Sequence, residues 1–303
     1  MRRVTSAIAI VVLAVVAAAC GSASDTPGTG ASGDGFPATV GSLTLDHKPQ
    51  RIVSLGPTLT EMLFAIDAGA QVVAVDEYST YPESAPRTTL SGYTPNAEAI
   101  ASYTPDLVVV TDDSEGIIGQ LTALHIPVYQ GKAAQDIEDT YRQLTELGTL
   151  TGHRTEATAL VERMRADMDK LLKSVPQRST PLTYFYELDS TLYTVTSKSF
   201  IGTLFTNAGL VNIADAGNDA NPYPQLSAET ILAADPDLIF LADTVCCGQN
   251  AGTVAARPGW STLKAVRNNG IIALDDDIAS RWGPRVVDLQ RSIVDAVAAV
   301  PAS

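Results

Sequence analysis

Aromatic and cationic side chains recur in segments that follow apolar, strand-like runs of this sequence. Aromatic rings offer flat apolar faces, and each stacking contact contributes about 0.5–1.5 kcal/mol beyond the area it buries. Guanidinium and ammonium groups attract anions. Such a set suits a ligand that has flat apolar faces, anionic groups or both. The candidates are Tyr78, Tyr81, Tyr93, Lys198, Phe200, Tyr223, Arg281 and Trp282.

Each candidate also has a purely structural interpretation. Loop tyrosines are often half-buried packing residues, and Arg281 has three acids shortly before it, at 275–277, with which it could pair. The aromatic and cationic residues therefore carry more weight as a group than singly.

The sequence offers little support for direct metal binding or for hydrolytic catalysis. The three histidines, His47, His125 and His153, lie in unrelated settings, whereas direct capture of zinc or manganese needs several converging imidazoles or carboxylates. We expect no metal held directly by the protein and no cofactor. We find no G-x-S-x-G and no H-E-x-x-H, the motifs of hydrolases. An exported α/β enzyme and a surface protein without a transporter remain alternatives.

The residues after position 50 alternate between strand-like and helix-like patterns. The first half predicts strands at 51–55, 71–75, 106–110 and 126–130, with helices near 58–67, 97–103 and 116–124. Thr58 and Glu61 have the spacing of a capping box. Strands that are apolar on both faces, alternating with helices, indicate parallel sheets covered by helices on both sides.

The second half repeats this plan, and a long amphipathic segment lies between the halves. Strands are predicted at 181–188, 192–197 and 270–274, and a last helix begins at Pro284. No glycine or proline interrupts residues 153–175, which predicts one helix on the order of 30 Å long. The sequence thus indicates an α/β fold of two Rossmann-like lobes, with parallel-rich sheets, joined by one long rigid helix.

The same helix–turn–strand motif occurs in both halves. Glu98 lies seven residues before Pro105, and Glu229 lies seven residues before Pro236. Both acids fall in the first turn of a predicted helix, where the helix dipole favours them by about 0.3–1 kcal/mol. Capping alone would explain their placement.

The amino-terminal segment has the pattern of an export signal. Residues 1–19 contain two arginines and a short apolar run, and they end in small residues directly before Cys20. This pattern predicts a cleaved signal peptide and not an anchor helix. Cys20 would then be the lipidated first residue, and an ordinary cleavage site is the alternative. Residues 20–35 predict a flexible tether, 36–150 an amino-terminal lobe, 151–175 the linking helix and 176–303 a carboxyl-terminal lobe.

Charge and cysteine content narrow the partners. Removing residues 1–19 takes away two arginines and no acid, so the formal charge goes from −14 to −16. This disfavours nucleic acid as a partner. Cys246 and Cys247 are adjacent and could close into a vicinal disulfide or stay reduced.

Several motifs, in order from about residue 49 to 298, resemble the iron-siderophore and vitamin B12 class of ABC-transporter substrate-binding proteins. They are RIVSLGPTLTEMLFAI, DEYSTYP, NAEAIASYTPDLVVV, TSKSFIGTLFTNAGL, NPYPQLSAETILAADPDLIF and RWGPRVVDLQ. The resemblance implies two lobes around a chelate-binding cleft, with the loops of Tyr81, Tyr223 and Arg281 at the ligand.

It also implies partners and a location. Glu98 and Glu229 would dock on arginine pockets of a permease, which works with an ATPase in the cytoplasmic membrane. The protein would be an extracytoplasmic monomer, anchored to the cell membrane by lipidated Cys20. Its cargo would be a ferric siderophore or a cobalamin-like corrinoid, with haem as the alternative. Tyr223 and the Tyr93 region lack the tryptophan common in cobalamin binders.

Overall fold

The computed structural model describes residues 35–216 and 220–301. The predicted signal peptide, Cys20 and nearly all of the tether lie outside the described residues. Among those described, no helix combines the length and apolar character that a membrane span requires.

The first lobe is built on a parallel sheet. Its strands are β3 (Ile52–Leu55), β4 (Val72–Val75), β5 (Leu107–Val110) and β6 (Val128–Gln130), in the order β4-β3-β5-β6. A small antiparallel hairpin, β1 (Ala38–Val40) with β2 (Leu43–Leu45), precedes it. The accompanying helices are α1 (Pro57–Ala65), α2 (Ala97–Ala101), α3 (Ile117–Ala123) and α4 (Ile137–Thr151).

Both faces of this sheet are buried, as parallel sheets require. Along β5, Val108 and Val110 belong to one apolar cluster, which includes residues of α2 and α3. Leu107 and Val109 belong to another, which includes residues of α1 and α4. The strands therefore lie between two helical layers.

The second lobe repeats the arrangement. Its strands are β7 (Thr183–Glu187), β8 (Val211–Asn212), β9 (Leu238–Leu241) and β10 (Ile271–Ala273), all parallel in the order β10-β9-β7-β8. The helices are α6 (Phe200–Asn207), α7 (Ala228–Ala234), α8 (Thr244–Cys247), α9 (Ala251–Ala255), α10 (Lys264–Arg267), α11 (Asp276–Ser280) and α12 (Val286–Ala299).

One helix, α5 (Arg154–Lys173), joins the two lobes. Its buried residues are Ala157, Met164, Met168 and Leu171, which step along one face, and it packs against α4 and α12. The predicted single linking helix is therefore confirmed, together with the α/β fold of two parallel-sheet lobes.

Two local predictions are wrong. Thr58 and Glu61 form no capping box, because α1 begins one residue earlier with Pro57 and both side chains are buried. Residues 192–197 form no regular strand. Thr194 and Thr196 donate backbone N–H groups to the carbonyls of Pro224 and Pro222, and Leu226 donates one back to Leu192. Because the two prolines have no N–H to donate, the pairing is limited to one isolated bridge, Tyr193 with Gln225.

Candidate functional site

A cavity of about 420 Å³ opens at the carboxyl ends of the first sheet and is closed on one side by the second lobe. It is lined by Leu55, Gly56, Pro57, Thr58, Asp76, Tyr78, Gly92, Tyr93, Thr111, Asp112, Ser114, Ala133, Ser280, Arg281 and Trp282. Another cavity, of about 310 Å³, lies on the outside of the first lobe between the hairpin, α4 and α5. It is remote from the strand ends, where parallel α/β sheets bind ligands.

The base of the cavity is the point where the order of the first sheet reverses. The chain leaves β3 at its centre, adds β4 on one side and then adds β5 on the other. Gly56 connects β3 to α1, and a Cβ at this position would collide with the hydroxyl of Thr111, just after β5. Only glycine lets the two strand ends approach this closely.

Aromatic rings form the walls. Tyr78 and Tyr93 pack edge to face, with ring centroids 5.5 Å apart and planes at 82°. Their side chains are 53% and 73% exposed, so both rings keep free faces. Trp282 comes from the second lobe, and its indole N–H donates to Gln143 of α4, in the first lobe, at 3.1 Å. Three aromatic side chains therefore lie around one concave space.

An ion cluster around the buried carboxylate of Glu61 joins the lobes beside this cavity. We call it the interlobe clamp and define it as Glu61, Asp277, Arg281 and Arg285. The Glu61 carboxylate, whose side chain is 1% exposed, accepts from Arg281 at 2.7 Å and from Arg285 at 2.6 Å and 2.9 Å. Arg281 also donates to Asp277 at 2.6 Å. Hydrogen bonding to Glu61 raises the pKa of the Arg285 guanidinium further above its ordinary value.

Further contacts surround the clamp. The Thr80 hydroxyl donates to Asp277 at 3.2 Å, and Arg281 donates to the Tyr78 carbonyl at 3.3 Å. The guanidinium of Arg285 lies 4.2 Å above the ring of Tyr81. Arg281 thus combines two positions: it lines the cavity and it is bound to acids on both lobes.

Two aspartates face the cavity that the sequence did not nominate. Burial raises the pKa of Asp76, although a 2.8 Å hydrogen bond from the backbone of Tyr78 opposes the shift. Asp112 lies two residues beyond the end of β5 and is exposed. The sequence showed Asp112 only as one of a pair of loop acids, but its place at a strand end was a usable signal.

The nominated residues divide into two sets. Tyr78, Tyr93, Arg281 and Trp282 line the cavity, whereas Tyr81, Lys198 and Tyr223 do not. Phe200 is corrected: it is the first residue of α6, 7% exposed, and belongs to the hydrophobic core. An aromatic ring directly after an N-cap can turn inward just as well as toward a cleft.

Glu98 and Glu229 occupy equivalent places on the two lobes. Each lies in the first turn of a helix, capped by Asn96 and Ser227 respectively, and each helix leads into a central strand. Both side chains are exposed. Hydrogen bonds from its own backbone and from Ser227 lower the pKa of Glu229. Capping and an external contact are therefore compatible.

Cys246 and Cys247 are joined by a disulfide in an exposed turn of the second lobe. The Asp276 carboxylate stabilises this turn by accepting hydrogen bonds from the backbone N–H groups of Thr244 at 2.8 Å and Cys246 at 2.7 Å. Burial opposes ionisation of Asp276, but these backbone hydrogen bonds prevail and lower its pKa. Within the described ranges, no group of three or more His, Cys, Asp or Glu is placed to hold a metal ion.

Asp243 should make stability depend on pH. Its carboxylate is fully buried without a hydrogen-bond partner among the described residues, and burial together with Glu187 raises its pKa to about 6. The folded chain then takes up a proton before the unfolded chain does, so stability rises as pH falls through 6. Urea unfolding at pH 7.5 and pH 5 should show a gain of about 1 kcal/mol from this group.

Asp243→Asn is the matched variant, because it keeps the shape and removes the titration. Its pH dependence should lack that gain. The lowered pKa of His153, which burial causes, acts in the opposite sense in both proteins and cancels in the comparison. Equal pH profiles for the two proteins would contradict the prediction.

The fold and the cavity define a two-lobed binding protein, and comparison with known proteins gives the family. The sequence profile described as periplasmic binding protein matches residues 52–278. This chain belongs to the periplasmic binding protein family. The family and its relatives are binding proteins, so the chain is not an enzyme, and the resemblance noted in the sequence is confirmed.

Individual relatives agree with this. The chain is 27% identical over 305 residues, covering 95% of each chain, to YvrC of Bacillus subtilis, an uncharacterised ABC transporter substrate-binding lipoprotein. It is 29% identical to a cobalamin-binding protein of Halobacterium salinarum, over 84% of this chain and 71% of that one. A possible iron-binding (periplasmic solute-binding) protein of Staphylococcus epidermidis has a similar crystal structure, with a TM-score of 0.72, 26% identity, and 83% and 99% coverage.

Proposed function

We propose that this protein is an extracytoplasmic receptor that binds a metal chelate, a ferric siderophore or a cobalamin-like corrinoid, and delivers it to an ABC importer. The observation that carries the proposal is the cavity at the sheet reversal, walled by Tyr78, Tyr93 and Trp282. Rings with free faces suit the flat or rounded apolar surface of a chelate. The relatives whose names mention cobalamin and iron support the same ligand class.

Delivery rests on the outer surface of the two lobes. Glu98 and Glu229 are exposed at equivalent positions, and we propose that they contact basic pockets of the permease. Lipidation of Cys20 would hold the receptor at the membrane, and the relative described as a lipoprotein supports this. We propose that the receptor acts as a monomer and needs no cofactor.

Haem is the second candidate within the same architecture. Tyr78 and Tyr93 are exposed at the cavity, and a tyrosine oxygen is an established axial ligand of haem iron. The ligand screen therefore includes haemin beside cyanocobalamin and ferric hydroxamates.

A thermal-shift screen of the mature chain tests the proposal. A chelate at a hundred times its dissociation constant should stabilise the protein by about 2.7 kcal/mol, which gives a clear rise in Tm. Tyr93→Ala should weaken binding of that chelate about tenfold, because one stacking face is lost. No rise in Tm with any of the three chelate classes would count against the proposal.

Tyr193→Ala is the matched control. Tyr193 is also exposed, at 43%, but does not line the cavity, so its removal should leave affinity unchanged. Equal losses for the two variants would show that the chelate is not bound against Tyr93.

A further inference from the structure

The cavity wall carries more negative than positive charge. Asp76 and Asp112 line it, and Arg281 is the one basic residue among the described residues that do so. Lys132 is next in sequence to the lining residue Ala133, yet it does not line the cavity.

Arg281 adds little positive potential, because its charge is already matched. Its guanidinium is 11% exposed and binds Glu61 at 2.7 Å and Asp277 at 2.6 Å. Turning toward a ligand anion would break both contacts and leave the Glu61 carboxylate, buried at 1% exposure, with Arg285 alone. Leaving a buried charge short of its partners is strongly unfavourable.

The net formal charge around the cavity stays negative when the interlobe clamp is included. Glu61, Asp76, Asp112 and Asp277 supply four carboxylates, whereas Arg281 and Arg285 supply two guanidiniums, a formal excess of two negative charges. The start of α1 at Pro57 also faces the cavity and contributes about half a positive charge. That does not offset the excess. The remaining lining residues are aromatic, hydroxyl-bearing, aliphatic or glycine, and all are formally neutral.

We propose that the cavity selects chelates whose net charge is zero or positive and rejects polyanionic ones. The proposal rests on the proposed function, since it specifies which metal chelates the receptor takes. Arg281 then acts as a positioning residue, because it holds the Tyr78 backbone and the second lobe in place instead of recruiting an anion. A polyanion would meet carboxylates that outnumber the cationic groups, and the repulsion between like charges disfavours its binding.

Calorimetric titration with a matched series tests this. A linear ferric trishydroxamate with a free amine carries one positive charge, and acetylating that amine makes the chelate neutral with little change in shape. Cyanocobalamin adds a neutral corrinoid, and a ferric tris-catecholate carries three negative charges. The tightest of the first three should bind at least about a hundredfold more tightly than the tris-catecholate at low salt, and the gap should shrink as salt rises.

Asp112→Lys sharpens the test, because Asp112 is exposed and its replacement should not affect folding. In this variant the ratio of the two affinities, best of the first three chelates over tris-catecholate, should fall by tenfold or more. Glu162→Lys changes an exposed residue of α5 that does not line the cavity, so it should leave this ratio unchanged. If the tris-catecholate binds as tightly as the best other chelate, the charge inference is overturned and the proposed function stands. If none of the four binds, the proposed function fails, and this inference fails with it.

Discussion

Glu61→Gln is expected to lower the free energy of unfolding by about 3–5 kcal/mol, the usual cost of removing one partner from a buried ion pair. The glutamine keeps the shape of the side chain but removes the charge that balances Arg281 and Arg285. Their guanidiniums are only 11% and 19% exposed, so water cannot replace the lost carboxylate. Urea unfolding at pH 7.5 gives the difference directly.

The chain supplies a matched control on its surface. Glu138 and Arg165 form a similar carboxylate–guanidinium pair at 2.6 Å and 2.5 Å, but their side chains are 60% and 49% exposed. Exposed pairs contribute about 0–1 kcal/mol, so Glu138→Gln should have a small effect. Similar losses for the two variants would show that burial of the interlobe clamp is not what makes Glu61 important.

Reversing the charge of Glu98 and Glu229 together is expected to abolish import while leaving ligand affinity intact. Both side chains are exposed and lie outside the cavity lining, so arginines there cannot touch the ligand. Like charges placed against a basic pocket cost several kcal/mol, which would reduce uptake at least about tenfold. Uptake of labelled chelate by cells and calorimetric titration of the purified variant measure the two quantities separately.

Glu162→Arg on α5 is the control, because it makes the same change at an exposed position outside both helices. Circular dichroism should show that both variants are folded. Normal uptake by the double variant would contradict the docking proposal. If Glu162→Arg lost as much uptake as the double variant, the loss would reflect net charge and not contact at Glu98 and Glu229.

The architecture could be predicted because its signals are local. Apolar runs such as 106–110 and an uninterrupted amphipathic stretch at 153–175 state their periodicity within a few residues. Strand β5 and helix α5 lie within one or two residues of those limits. Helix α4 is not among the predicted helices, although Asp136 caps it and its buried residues Tyr141, Leu144 and Leu147 have helical spacing.

The site could be predicted only in part, because long-range pairing decides it. Glu61 fits a capping box by spacing, but its partners lie more than two hundred residues away at Arg281 and Arg285. For the same reason Arg281 was expected to meet a ligand, whereas it also fastens the two lobes. The position of Tyr78 near a strand end was enough to predict that it lines the cavity. Position alone does not decide whether Phe200 points into the core or into the cleft.

Anomalous diffraction from crystals grown with cyanocobalamin or a ferric trishydroxamate tests the central claim most directly, since the absorption edge of cobalt or iron locates the metal without ambiguity. We expect a single strong peak in the cavity between Tyr93 and Trp282, with the metal coordinated only by its chelator and by no protein atom. A peak elsewhere on the chain, or a metal bound directly by protein side chains, would contradict it.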